Sequence, residues 1–169
     1  ITVGERVMID AEHGVNRRLF FAAIAGLWPW GSGKITMPPR EETLFIAQHG
    51  YMPAAPLREI LSYPRAPQKF TEEEFLAAME ACGLGHIIPR MNDNIRWDQK
   101  FDSDEQACIR VANALLLKPR WLFIDDLLEG LEKHTIDRLV EVLSGMKDTA
   151  VVYIGRSDAV MQVLSPRVL

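Results

Sequence analysis

The stretch Val7–Gly26 constrains the fold of this chain more than any other. It reads as a short apolar strand, Val7–Asp10, followed by a polar turn and an apolar helix, Arg18–Ala25. A turn that enters a helix N-terminus directs free backbone N–H groups and the positive end of the helix dipole at an anion. The stretch therefore lies where a phosphate-binding loop would lie. Its helix is apolar on nearly all sides, so we expect it to pack against a sheet.

The composition favours one soluble globular domain and argues against several classes of partner. Of the 169 residues, 48% are hydrophobic and 25% are charged, which suits a single domain with a real core. The net charge of -4 provides no basic field for nucleic acid or for an anionic membrane surface. No apolar run approaches the roughly 18 residues of a membrane span, and we find no signal peptide. The chain opens on Ile1 almost directly at a strand, so we expect a piece of a longer protein, truncated at its N-terminal side.

The cysteines and histidines show no spacing that is typical of a metal site. Cys82 and Cys108 each lie beside alanine in a helix-like context, and we expect buried free thiols in a reducing compartment. The four histidines show neither metal nor catalytic-triad spacing. We expect them to be structural or surface residues: His13, His49, His86 and His134.

The rest of the chain alternates predicted strands and helices. Further strands are predicted at Lys34–Met37, Thr43–Ala47, Trp121–Ile124 and Ala150–Ile154. Helices are predicted at Leu57–Leu61, Thr71–Cys82, Ser103–Leu117 and Lys133–Ser144. Thr71 with Glu74 has the pattern of a capping box. The order indicates a mostly parallel sheet with helices, in which residues 1–50 and 119–169 form an α/β core and residues 51–118 form an inserted helical lobe.

Six stretches carry a family pattern in a fixed order along the chain. They are A-I-A-G-L-W-P-W-G-S-G-K-I at 23–35, L-F-I-A-Q-H-G-Y-M-P at 44–53, L-R-E-I-L-S-Y-P at 57–64, A-C-G-L-G-H-I at 81–87, D-E-Q-A at 104–107 and L-L-L-K-P-R-W-L-F-I-D-D at 115–126. Together they resemble the nucleotide-binding domain of ABC transporters. The resemblance is strongest to the branch with the peroxisomal fatty-acyl transporters and the SbmA/BacA-like (YddA-type) proteins. It implies an α/β fold of the P-loop NTPase class, with an ABC-type core.

The phosphate loop of that family reads G-x-x-G-x-G-K-[ST], and this chain has A-E-H-G-V-N-R-R at 11–18. Gly14 is retained, and Asn16 tolerates positive φ better than other non-glycine residues. Arg17 keeps a cation at the lysine position, but this cation is a planar guanidinium and not a compact ammonium. Arg18 replaces the hydroxyl that would ligate Mg²⁺ with a cation that repels the metal. The resemblance thus implies an ATP and Mg²⁺ site at which binding is weak or absent, and a purely structural turn is the alternative.

Four further positions of the family's site fall on identifiable residues. Gln48 matches the glutamine that links the metal site to the helical lobe, and Asp125 matches the acid that holds Mg²⁺ through water. Asp126 stands at the position of the catalytic glutamate and is one methylene shorter; a displacement of about 1 Å costs on the order of 10²-fold in rate. Arg156 stands at the switch histidine and cannot accept a hydrogen bond. A solvated strand end is the alternative interpretation of the two aspartates.

The signature loop of the family falls on Ser103, Asp104, Glu105 and Gln106. Asp104 replaces the glycine whose backbone N–H would contact the ATP of a partner subunit. Its carboxylate would repel a γ-phosphate, whereas at its own helix N-terminus it stabilises the helix by about 0.3–1 kcal/mol. Ser103 and Gln106 also have the spacing of a capping box.

The resemblance implies the cytoplasmic nucleotide-binding module of an ABC-type membrane transporter. Its implied partners are a transmembrane domain and a second nucleotide-binding domain, with no nucleic acid, and its implied location is the cytoplasmic face of a membrane. Phosphoryl transfer depends almost entirely on positioning and electrostatics, so we expect ATP hydrolysis to be impaired or lost. Two alternatives remain: a non-hydrolysing pseudo-ATPase that acts as a dimerisation or regulatory partner, and a small P-loop kinase, against which the inserted lobe argues.

Overall fold

Strands and helices alternate along the part of the chain that the structure, a computed structural model, describes: the backbone of residues 1–10 and 15–169 and the side chains of residues 1–10 and 17–169. The strands are β1 (Arg6–Ile9), β2 (Thr43–Ile46), β3 (Ala55–Pro56), β4 (Asn94–Ile95), β5 (Trp121–Asp125), β6 (Ala150–Ile154) and β7 (Arg167–Val168). The helices are α1 (Val15–Ile24), α2 (Leu57–Ser62), α3 (Glu72–Ala81), α4 (Ser103–Leu117), α5 (Lys133–Gly145) and α6 (Asp158–Leu164). Short 3-10 helices lie at Arg40–Glu42, Pro67–Lys69, Gly85–Arg90 and Trp97–Gln99.

The contacts divide the chain into two units. The first unit comprises Ile1–Gln48, Pro119–Glu129 and Lys147–Leu169, and the second comprises His49–Lys118 and Gly130–Met146. Helix α5 groups with the second unit in this division, while the sequence assigns it to the α/β core. The domain boundaries drawn from the sequence stay a prediction.

A five-stranded parallel sheet forms the centre of the first unit, in the order β2-β5-β6-β1-β7. Continuous apolar runs are typical of parallel strands that are covered on both faces, and all five residues of β6 are buried. Ile46 of β2 pairs with Ile124 of β5, and Asp125 pairs with Ile154 of β6. This register places Asp125 at the carboxyl end of β5, with Gln48 and Gly155 just beyond the carboxyl ends of the neighbouring strands β2 and β6.

Helix α1 packs on one face of this sheet, as its apolar sequence predicts. The cluster consists of Val7, Phe21, Ile24, Phe123, Val152 and Ile154. Phe21 meets Phe45 edge-on with ring centroids 5.8 Å apart, and Phe45 stacks on Phe123 at 5.1 Å. Phe20 is 41% exposed, so the side of the helix that carries it faces solvent although the sequence is apolar on nearly all sides. The packing of α1 fixes its first turn above the carboxyl ends of the strands.

The predicted strand Lys34–Met37 is wrong, because these residues adopt no regular structure. A strand requires a neighbour on its ladder, and β2 pairs only with β5 among the described residues. Two prolines, Pro38 and Pro39, follow directly and have no N–H to donate. Ile35 is 53% exposed, so the segment does not bury alternate side chains as a strand would. The apolar residues of this segment therefore do not mark a strand.

Helices α2, α3 and α4 build the second unit. Trp97 is 1% exposed; its ring stacks on Phe101 at 4.9 Å and its Nε1 donates to the Ala55 carbonyl at 2.9 Å. The predicted capping box at Thr71 and Glu74 is confirmed at the start of α3. Within the described part of the chain, no helix has the length and apolar character that a membrane crossing requires.

The prediction of two buried free thiols is confirmed, since Cys82 and Cys108 are both buried and unpaired with each other. Burial raises the pKa of Cys82 to about 12 and that of Cys108 to about 11. Thiols with such pKa values are protonated near neutral pH and react slowly. They therefore behave as small apolar side chains of the second unit.

Candidate functional site

Arg17, in the first turn of α1, is the centre of the candidate site in the first unit. Its side chain is buried, at 4% exposure, although it carries a charge. Its Nε lies 3.2 Å from Asp125 Oδ1, its Nη1 donates to Asp126 Oδ2, and its Nη2 lies 3.9 Å from Glu129 Oε2. A planar guanidinium with several N–H donors suits such bridging between carboxylates. Arg17 is therefore the counter-ion of the acids that end β5 and follow it.

The carboxylate of Asp126 is held toward Arg17 from several sides. Its φ is +40°, a region that non-glycine residues rarely adopt and that persists where the surroundings dictate it. The Asp126 N–H donates to the Ile154 carbonyl at 2.9 Å, and Asp126 Oδ1 accepts from the Tyr153 hydroxyl at 3.2 Å. Gly155 provides the space, because a Cβ there would lie 2.7 Å from Asp126 Oδ1. Asp126 thus has one defined position.

Burial and the positive charge of Arg17 shift the pKa of Asp126 in opposite directions. Burial raises the pKa of this carboxyl above its ordinary value, the Arg17 guanidinium lowers it, and the Glu129 carboxylate raises it again. Gln48 extends the group, since its Nε2 donates to Glu129 Oε2 at 2.7 Å. The site is therefore a connected cluster of one guanidinium, one amide and three carboxylates.

Two residues of the site, Glu129 in the cluster and Tyr153 beside it, are not among the site residues predicted by sequence. Tyr153 is fully buried in β6, and its hydroxyl both donates to Asp126 and accepts from the Leu128 N–H at 3.4 Å. Burial also raises the pKa of Tyr153 above its ordinary value, so the hydroxyl stays protonated. The sequence feature that could have identified Tyr153 is a polar aromatic residue within an otherwise apolar strand. Glu129 carries no such signal, because its contact with Arg17 depends on the turn after β5.

The first unit contains further residues that the sequence predicts for the site. Arg18 is exposed on α1, and the backbone of Asn16 belongs to the same helix. Gly14 lies outside the described residues. Arg156, at the switch position, has its Nε 2.5 Å from Asp10 Oδ1. The structure therefore brings together Arg17, Gln48, Asp125 and Asp126, and pairs Arg156 with a different carboxylate.

The residues present do not fit Mg²⁺, the ion that the family resemblance implies. Mg²⁺ requires near-octahedral oxygen ligands at about 2.0–2.1 Å. Here Arg17 contacts oxygens of both Asp125 and Asp126, and its positive charge would lie beside the ion. No group of three or more His, Cys, Asp or Glu in the described ranges could hold a metal ion. The cation that the two aspartates contact at this site is thus the Arg17 guanidinium.

The predicted capping box of Ser103 and Gln106 is wrong by one residue. Asp102 is the N-cap of α4: its Oδ1 accepts from the Glu105 N–H at 2.8 Å, and Glu105 Oε2 accepts from the Asp102 N–H at 3.3 Å. Asp102 has extended backbone angles, whereas Ser103 is already the first helical residue. Gln106 instead donates to the Phe101 carbonyl at 3.1 Å. A carboxylate thus serves as the cap, which sequence spacing alone does not distinguish from a serine.

Acidic side chains surround the signature positions within the second unit. Asp104 Oδ2 accepts from the Glu132 N–H at 3.1 Å, so this carboxylate binds a backbone amide of its own chain. The adjoining cleft has a volume of about 190 Å³ and is lined by Asp102, Asp104, Glu105, Glu132, His86, His134, Arg138 and four less polar residues. Four carboxylates in one cleft repel a polyphosphate.

The N-cap assignment makes a testable prediction for α4. Asp102→Ala is expected to lower the free energy of unfolding by about 1 kcal/mol, because the Glu105 N–H loses its acceptor. Ser103→Ala, one residue away and exposed, is expected to change it by less than about 0.5 kcal/mol. Urea denaturation followed by circular dichroism measures both. A larger loss for Ser103→Ala than for Asp102→Ala would contradict the assignment.

Comparisons with known proteins support the family resemblance. No protein-family model matches the chain. The chain is 23% identical over 143 residues to the inner membrane ABC transporter ATP-binding protein YddA of Escherichia coli (strain K12), covering 85% of this chain and 25% of that protein. It is 26% identical over 160 residues to an uncharacterized ABC transporter ATP-binding protein of Haemophilus influenzae, covering 94% and 27%. It is 27% identical over 131 residues to human ATP-binding cassette sub-family D member 3, covering 73% and 20%.

A solved ABC transporter structure has a similar fold. The structure superimposes on a bacterial Atm1-family ABC exporter solved with ATP bound, with a TM-score of 0.74 and 15% identity, covering 90% of this chain and 30% of that one. The predicted α/β class and ABC-type P-loop core are thereby confirmed. The chain spans about a quarter of the length of the first two relatives, 25% and 27%. Sequence and fold together identify the chain as a relative of the nucleotide-binding domains of ABC transporters.

Proposed function

We propose that the chain is the nucleotide-binding module of an ABC-type membrane transporter in which ATP hydrolysis is impaired or lost. One observation carries the proposal: Arg17 forms ion pairs with both Asp125 and Asp126. In the family these positions hold the metal and orient the attacking water, and phosphoryl transfer depends on that positioning. Carboxylates that are already engaged by a buried guanidinium are not available for either task.

The same ion pairs oppose nucleotide binding. A phosphate that contacted Arg17 would draw the guanidinium away from the acids and leave buried carboxylates uncompensated. Removing one partner of a buried ion pair costs about 3–5 kcal/mol. Since each 1.4 kcal/mol is a factor of ten, this penalty corresponds to a loss of affinity on the order of 10²- to 10⁴-fold. Binding of ATP is therefore expected to be weak or absent.

The proposed partners follow from the relatives and from the second unit. A transmembrane domain and a second nucleotide-binding domain are the partners proposed, with the chain at the cytoplasmic face of a membrane. The signature positions argue against a strong contact with a partner's ATP, because Asp104 binds the Glu132 amide and lies among other carboxylates. Together with Arg17, this makes two independent positions at which the ATPase mechanism is altered.

A phosphate-release assay with Mg-ATP tests the proposal. Turnover of about 1 s⁻¹ is the low end of ordinary enzymes, and misplaced catalytic groups cost on the order of 10²-fold, so we expect less than about 0.01 s⁻¹. Asp125→Asn, purified in parallel, is the control for contaminating ATPases, because activity that persists in it does not come from this site. Turnover near 1 s⁻¹ that Asp125→Asn abolishes would contradict the proposal.

Calorimetric titration with ATP, followed by analytical ultracentrifugation, separates the proposal from its alternative. Weak heats of ATP binding support a nucleotide-binding module with lost hydrolysis. Absence of binding heats together with self- or hetero-association supports a non-hydrolysing pseudo-ATPase that acts as a dimerisation or regulatory partner. Sedimentation with and without ATP shows whether association depends on the nucleotide.

A further inference from the structure

We propose that the Arg17 guanidinium is the resident cation of Asp125, Asp126 and Glu129, and that it excludes divalent metal ions from this site. The inference goes beyond lost hydrolysis, because it states which cation the acids bind instead. It rests on the proposed function for the assignment of Asp125 and Asp126 to the family's metal-binding position. It concerns the chain without nucleotide, so its test is independent of any ATPase measurement.

The geometry leaves no room for both cations. Arg17 Nε lies 3.2 Å from Asp125 Oδ1 and Nη1 contacts Asp126 Oδ2, so one guanidinium spans the two carboxylates that follow each other at the end of β5. A metal ion bound at about 2 Å from either oxygen would lie no more than about 5 Å from the nearest of these nitrogens. Two positive charges at that separation in a buried site repel each other strongly. Binding of one cation therefore requires the departure of the other.

The guanidinium cannot leave easily. Arginine is not deprotonated in proteins, so its charge persists at any pH at which the chain is folded. The side chain is 4% exposed, and it belongs to a helix whose apolar residues pack on the sheet. On the acid side, Asp126 is fixed by Tyr153 and by its own backbone at φ +40°. Glu129 is oriented by the amide of Gln48 at 2.7 Å. Both halves of the ion cluster are thus anchored to the framework of the first unit.

Titration with Mn²⁺, followed by electron paramagnetic resonance of the free ion, tests the inference. Mn²⁺ is the probe because it takes oxygen ligands as Mg²⁺ does and its free form gives a signal that binding removes. The wild-type chain is expected to show no site tighter than about 1 mM. Arg17→Met keeps a side chain of similar length without charge, and we expect it to bind Mn²⁺ at least tenfold more tightly. Arg40→Met, an exposed arginine of the same unit, is the matched control and is expected to behave as wild type.

The location of any Mn²⁺ site is established by removing one acid. Asp125→Asn added to Arg17→Met is expected to abolish the gained binding. A wild-type site tighter than about 1 mM that Asp125→Asn removes would overturn the inference. So would a folded Arg17→Met variant that gains no Mn²⁺ affinity. If Arg17→Met does not fold, Arg17→Met with Asp126→Asn contains one buried charge less and is measured in its place. The wild-type titration decides by itself if neither variant folds.

The outcomes distinguish this inference from the proposed function. Mn²⁺ binding by the wild-type chain that Asp125→Asn removes, without ATP turnover, overturns the inference and leaves the proposed function intact. ATP turnover that persists in EDTA and disappears in Asp125→Asn overturns the proposed function and supports a metal-independent site. The Mn²⁺ titration measures metal binding and the phosphate-release assay measures hydrolysis, so each result is interpreted independently of the other.

Discussion

Arg17→Met is expected to lower the free energy of unfolding at pH 7 by about 3–5 kcal/mol, the range measured when one partner of a buried ion pair is removed. The reason is that Asp125 and Asp126 are buried, at 6% and 1% exposure, and lose the guanidinium that compensates them. A protein of this size has a total stability of about 5–15 kcal/mol, so the loss is a large share of it. Urea denaturation followed by circular dichroism measures the change.

A matched control separates the loss of this ion cluster from a general effect of arginine removal. Arg40→Met is exposed and is expected to change the free energy of unfolding by less than about 0.5 kcal/mol. Asp126→Asn in the Arg17→Met background is expected to recover part of the loss, because it removes one of the uncompensated charges. A decrease below about 1 kcal/mol for Arg17→Met would mean that the acids do not depend on the guanidinium.

Tyr153→Phe is expected to lower the free energy of unfolding by about 1–3 kcal/mol, the cost of leaving a buried acceptor without its donor. Its hydroxyl donates to Asp126 Oδ1 at 3.2 Å and accepts from the Leu128 N–H at 3.4 Å, and the ring itself is retained, so the change removes these two hydrogen bonds alone. Tyr63→Phe is the control, because Tyr63 is 73% exposed and its loss of a hydroxyl is expected to be nearly neutral. Thermal and urea unfolding of both variants give the comparison.

The effect of Tyr153→Phe should depend on the charge of its partner. In a double-mutant cycle with Asp126→Asn, the two losses are expected to be non-additive by about 0.5–3 kcal/mol, the range for residues in direct contact. Additive losses would show that the Tyr153 hydroxyl is not energetically coupled to Asp126. The cycle therefore assigns the hydroxyl to the cluster or excludes it.

Those elements that are specified locally could be predicted from the sequence. Ala150–Ile154 is a strand with the predicted bounds, and Ser103–Leu117 is a helix with the predicted bounds, because each is a long apolar pattern between clear breaks. Lys34–Met37 has an apolar pattern as well, yet it forms no strand, since strand formation depends on a neighbour that the segment itself does not specify. Local pattern is sufficient for the first kind of element and insufficient for the second.

The members of the site could be predicted only in part, for a related reason. The resemblance identifies Arg17, Gln48, Asp125 and Asp126 as site positions, and the structure brings these four together. The contact between Arg17 and Asp126 joins residues 109 positions apart, and the sequence around neither residue predicts it. The sequence predicts that Arg18 repels the metal and that Arg17 keeps a cation at the lysine position. In the structure Arg18 is exposed, and Arg17 has the two aspartates as partners. The register of β6 on β5 places Tyr153 at the site, and no sequence motif predicts that register.

The burial of Arg17 has a consequence for how the chain responds to its surroundings. A nucleotide-binding domain that takes its cation from solution gains stability with ligand concentration, about 2.7 kcal/mol when the ligand is present at 100 times its Kd. Here the cation is part of the polypeptide and its effective concentration never changes. The stability of the first unit is therefore expected to be the same in the presence and in the absence of divalent metal ions in solution.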